Sequence, residues 1–136
     1  MIDRIREDTL HLMKIPGLSG HEEQVRSFIK EELKKIGLTP FFDKFGNITV
    51  TFPGTGPRVM LFTHMDQLGL VVRKIEDDGF LRFERVGGVP EKILPGLAIS
   101  AISKNGSALP GIIGIKSHHA TQPEEKYKVL SYRDLY

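Results

Sequence analysis

The run Val59-Met60-Leu61-Phe62, entered from the turn sequence Pro53-Gly54-Thr55-Gly56-Pro57 and followed by Thr63-His64-Met65-Asp66, most narrows the folds open to this chain. Four consecutive apolar residues do not alternate, so an extended segment there has to be covered on both faces. That is the pattern of an interior strand in a sheet flanked by helices. It predicts an α/β arrangement for residues 1–68.

The residues before the run supply the helices. Ile2, Ile5, Thr9, Leu12 and Met13 recur at helical spacing, with Arg4, Glu7, Asp8 and Lys14 on the other side, which predicts an amphipathic helix over 2–14. Pro16-Gly17 breaks it. Ser19 and Glu22 have the spacing of a capping box and would open a second helix on Val25, Phe28, Ile29, Leu33 and Ile36, stopped by Gly37. Ile48, Val50 and Phe52 then alternate as in a half-buried strand over 47–52.

From Gly69 onward the pattern changes to strands and turns: Gly69–Ile75, the Asp77-Asp78-Gly79 turn, Phe80–Val86, a Gly87-Gly88 break, Leu97–Ile102, the Lys104-Asn105-Gly106 turn and Ile112–Lys116. This half reads as a small β-barrel or sandwich. Residues 117–128, SHHATQPEEKYK, read as an exposed loop, and VLSYRDLY at the end begins one more strand.

A hydrophobic fraction of 40% over 136 residues is enough for one packed domain or two small lobes. Nineteen basic against seventeen acidic residues, interspersed, give a net charge of +2 and no reason to expect nucleic acid as a partner. With no cysteine, disulfides and thiolate metal ligands are excluded, and any transition-metal site must use His, Asp and Glu. A charged N-terminus and the lack of a spanning-length apolar segment argue against export and membrane insertion, and point to the cytoplasm.

In an extended chain residues i and i+2 project to one side, so His64 and Asp66 can address one point at the end of the apolar run. Imidazole is a common metal ligand, and a nearby carboxylate can ligate or hold the ring. His-x-Asp is a short pattern, however. On spacing alone it is better read as a loop-capping histidine with a turn aspartate. His118-His119 lie in a polar loop and read as solvated; His11 and His21 read as helix-surface residues. No phosphate-binding glycine loop and no nucleophile elbow is present.

The segments PGLSGHEEQVRSFI (16–29), DKFGNI (43–48), THMDQLGLVV (63–72), ERVGGVPEKILPG (84–96) and GIIGIKSHH (111–119) occur in the order and spacing of one family. The chain resembles the tetrahedral, dinuclear-metal aminopeptidases, a group also labelled glutamyl aminopeptidase, deblocking aminopeptidase and endoglucanase M. The resemblance implies an α/β catalytic domain of the zinc-peptidase type interrupted by a small β-barrel used for dimerisation on the way to a hollow dodecamer. It assigns residues 1–68 to the catalytic domain, 69–129 to the barrel and 130–136 to the return strand. It implies that His64 is a metal ligand and that Asp66, counted with the catalytic residues, orients it. It also implies two divalent ions per site, zinc or cobalt, and peptides as substrates.

Two departures accompany the resemblance. Gln67 stands where the family usually has glutamate. The bridging aspartate, general-base glutamate and remaining ligands of the family follow the barrel, beyond the position of Tyr136, so the chain is expected to be an N-terminal portion, inactive by itself. A catalytic zinc needs about three protein ligands, and only His64 and Asp66 are expected to converge. A non-catalytic assembly or binding module is the alternative. A glycanase is disfavoured, because the chain has no tryptophan and no evident acid pair. An α/β half lacking its later strands is also expected to expose the 59–62 run and to associate.

Overall fold

The first helix, α1, runs from Ile2 to Leu12, on the residues whose spacing predicts it. An Arg4–Asp8 pair at 3.5 Å and a Thr9 hydroxyl donating to the Ile5 carbonyl at 2.7 Å line its exposed side. It ends two residues short of the expected stop. Ile15 precedes a proline and is therefore disfavoured in helical conformation, and the chain leaves through tight bonds from Lys14 to His11 and from Ile15 to Leu12.

The second helix, α2, spans Glu23–Lys35 and buries Val25. Its C-terminus follows the expectation: Gly37 has φ 78°, Leu38 N–H donates to Leu33 and Gly37 N–H to Lys34, the paired bonds of a glycine-terminated helix. Its N-terminus does not. Helix residues begin at Glu23, no side chain caps them, the Glu22 carboxylate accepts from Gly20 N–H at 2.7 Å, and the Ser19 hydroxyl bonds elsewhere. The capping box is thus replaced by a looped turn.

Two short strands follow, β1 (Phe41–Phe42) and β2 (Ile48–Thr49), paired antiparallel. The Asp43 carboxylate organises the turn between them, accepting from Phe45 N–H, Asn47 N–H and the Asn47 amide at 2.7–2.9 Å. The alternating stretch expected over 47–52 keeps only two paired residues. Val59–Phe62, expected as an interior strand, pairs with nothing and stays exposed, from 80% at Met60 to 93% at Leu61. A strand exists only through its ladder partners, and β2 is paired to β1 alone, so these residues offer the run no neighbour.

The computed structural model describes all 136 residues, and the chain divides into two units, Met1–Gln67 and Leu68–Tyr136. The second unit contains β3 (Gly69–Ile75) and β4 (Leu81–Val86) as one antiparallel hairpin, irregular between Val72 and Lys74, and β5 (Ala98–Ile102) with β6 (Ala108–Ile112) as another. Gly79 and Gly106, at φ 90° and 83°, make the two turns that the sequence marks. The last strand lies at 108–112, four residues before the expected 112–116. Each hairpin is a separate two-stranded sheet.

Phe83, Leu94, Ile113 and Leu135 form the buried core of this unit, with Leu70, Val89, Ile99, Leu130 and Tyr132 packed around them. The residues read as a final strand instead make a 3-10 turn at Tyr132–Asp134. That turn inserts Leu135 into the core while its carbonyl accepts from Arg82 at 3.0 Å and Tyr132 donates to Glu84 at 2.5 Å. No helix is long and apolar enough to cross a membrane.

Candidate metal-ligand site

Four residues after Met60 the unpaired segment presents His64. Its Nδ1 lies 2.8 Å from Asp66 Oδ1 and 3.1 Å from the Asp66 carbonyl oxygen. The i, i+2 spacing therefore brings ring and carboxylate to one side, as expected. The ring is 83% exposed, so the contact is set by local geometry and not by a surrounding cage.

Asp66 is itself held. The Ser19 hydroxyl donates to Oδ2, the oxygen that does not face the histidine. This bond, with that of His64 second, holds the Asp66 carboxyl below the usual carboxylate range. With its lowered pKa Asp66 acts as acceptor, so a neutral His64 ring that donates to it from Nδ1 has its lone pair on Nε2. The order Ser19 to Asp66 to His64 thus directs Nε2 outward as a free donor to a cation.

The loop that carries Ser19 is docked on the same segment. Leu18 and Gln67 form a parallel bridge in which Gln67 N–H donates to the Gly17 carbonyl at 2.7 Å. Gln67 also donates its side-chain amide to the Leu12 carbonyl at 3.1 Å, closing the end of α1. A residue with a side chain at position 17 would meet Val25 Cγ2 at 2.6 Å, so glycine there lets loop and helix approach. Ser19 was not legible as a site residue: its partner is 47 positions away, and no local pattern links them.

The other histidines stay apart from this arrangement. His11 stacks on Phe28 with centroids 4.5 Å apart, and the exposed rings of His118 and His119 meet edge to face at 6.1 Å. His21 is exposed beside α2. No three His, Cys, Asp or Glu side chains are grouped closely enough to hold one ion. The donor set therefore supplies one oriented imidazole arm and does not fit a complete catalytic metal cage, which takes about three protein ligands.

Comparison with known proteins covers both units. A sequence model described as M42 glutamyl aminopeptidase matches residues 46–136. The Escherichia coli strain K12 protein SgcX is 35% identical over 97% of this chain and 36% of its own length. A lysyl aminopeptidase of Pyrococcus furiosus is 34% identical over 79% of this chain and 31% of its own length. Among solved structures, the Pyrococcus horikoshii TET1 peptidase, described as able to assemble into a tetrahedron or a large octahedral shell, superposes with a TM-score of 0.83 at 33% identity, covering 95% of this chain and 38% of that one. The chain spans about a third of the length of the curated relatives it matches.

Proposed function

The chain belongs to the M42 glutamyl aminopeptidase family, and from that premise we propose that it is part of a metal-dependent aminopeptidase that removes N-terminal residues from peptides. In this reading residues 1–68 contribute to the α/β catalytic domain, residues 69–129 are the small β-barrel insert of dimerisation type, and residues 130–136 lead back to the catalytic domain. His64 ligates one of two divalent ions, zinc or cobalt, through Nε2. Asp66 is a positioning residue acting through the ring. The protein works in the cytoplasm as a homo-oligomer; the shell-forming TET1 relative and the absence of cysteine support this.

One observation carries the reading: a carboxylate already hydrogen-bonded to a histidine Nδ1, and anchored on its far side by Ser19, leaves Nε2 pre-oriented toward solvent. A histidine that merely capped a loop would have no need of a second anchor on its acid. Since these residues form no three-ligand cluster, no hydrolytic step is assigned to them, and the 136-residue chain alone is expected not to hydrolyse peptides.

Zinc calorimetry on the chain and on His64→Ala, with a lysyl or glutamyl anilide assay in parallel, tests the proposal. The expected result is a weak site, weakened at least about tenfold by the substitution, with no hydrolysis in either protein. Equal zinc affinity in both would overturn the assignment of His64. Zinc-dependent hydrolysis would overturn the expectation of inactivity.

A further inference from the structure

The second unit holds a cavity of about 710 Å³, within the range of small-ligand sites, between the 3-10 turn at Glu91–Ile93, the segment after β6 and the 117–128 loop. Six cationic side chains line it, Arg82, Lys92, Lys116, Lys126, Lys128 and Arg133, against two carboxylates, Glu125 and Asp134. The two arginines are engaged: Arg82 with Glu76 at 3.2 Å and the Leu135 carbonyl, Arg133 with the Tyr132 hydroxyl at 3.3 Å. The four lysines enter none of the chain's ion pairs.

Unpaired like charges around a concave wall repel one another and concentrate a positive potential inside it, which an anion relieves. Two features narrow the anion. Pro95, Ile115 and Leu130 give the cavity apolar wall, which a bare inorganic ion would leave uncovered. Lysines are point charges on flexible stems, without the fixed geometry of the arginine fork, and they can follow several anionic groups at variable spacing along a chain. We propose that this cavity binds a short acidic peptide, with its carboxylates on the lysines and its apolar side chains on the Pro95–Ile115 wall. The inference goes beyond the aminopeptidase reading and uses no residue of the His64 arm.

The test is fluorescence anisotropy of a dye-labelled Glu-Glu-Leu-Glu-Glu peptide on the metal-free 136-residue chain, with Gln-Gln-Leu-Gln-Gln as the neutral counterpart and inorganic tripolyphosphate as competitor. The acidic peptide is expected to bind at least about tenfold more tightly than the neutral one, with affinity falling as salt rises. Replacing Lys126 and Lys128 together by glutamine should weaken it at least about tenfold, while the same replacement of Lys34 and Lys35 on α2 should leave it within about twofold. Circular dichroism checks that both variants remain folded, and Lys92→Gln with Lys116→Gln provides a second pair from other segments. Equal binding of the two peptides, equal losses from the cavity and helix substitutions, or displacement by tripolyphosphate at lower concentration than by unlabelled acidic peptide would each overturn the proposal.

Discussion

At the scale of single residues, the arrangement around His64 makes the tautomer a consequence of Ser19. The serine fixes one carboxylate oxygen, and the other carboxylate oxygen faces Nδ1 of the exposed ring together with the Asp66 carbonyl oxygen. Ser19→Ala is expected to leave the fold intact and to lower the fraction of ring bearing its proton on Nδ1, read from histidine nitrogen chemical shifts. Asp66→Asn, which removes the charge, should lower it further. A ring whose tautomer is unchanged by both substitutions would not be positioned as described. Packing is equally local at Leu94, which has no exposed surface; Leu94→Ala should cost the second unit about 2–5 kcal/mol in denaturant unfolding.

At the scale of elements, the turn between β1 and β2 depends on the charge of Asp43. Asn47 first, then backbone amides, hold its carboxyl below the usual range. Because the folded pKa is depressed, the stabilisation is present above the unfolded value and is lost as pH falls through the folded one. Protection of the Phe45 and Asn47 amides against hydrogen exchange should therefore hold at neutral pH and decline below about pH 4. Protection that is flat through this range would show that the backbone alone makes the turn.

Elements also show what a sequence conveys. The helices, the first hairpin of the second unit and the turn of the other were legible because their signals are local: apolar spacing over a few turns, Gly37 past a helix end, Gly79 and Gly106 in turns; the return strand after Gly106 was placed four residues too late. The pairing of His64 with Asp66 was legible because it spans two residues. The α2 start was misread because a serine and a glutamate at capping distance find other partners, Asp66 and Gly20. Val59–Phe62 is exposed, as expected of an α/β half without its later strands, but it forms no strand, for a different reason. Its composition states that it should be buried, whereas burial requires strands that these residues do not place beside it.

At the scale of the whole molecule, that run has a physical consequence. Four adjacent apolar side chains in an unpaired segment present both backbone groups free to pair and apolar surface to water. The chain is expected to associate in a concentration-dependent way, measured by light scattering after size exclusion, and Leu61→Lys should shift it toward monomer. A dilute-to-concentrated monomer without change would mean that the run is covered by other means. The family membership gives a setting for this surface without fixing its occupant.

Nitrogen-detected magnetic resonance of the histidine rings during zinc addition shows whether Nε2 of His64 is the arm offered to a metal ion. The His64 Nε2 resonance is expected to move first while Nδ1 keeps its proton, with His118 and His119 responding only at higher zinc. Zinc that shifts His118 and His119 and leaves His64 unmoved would contradict it.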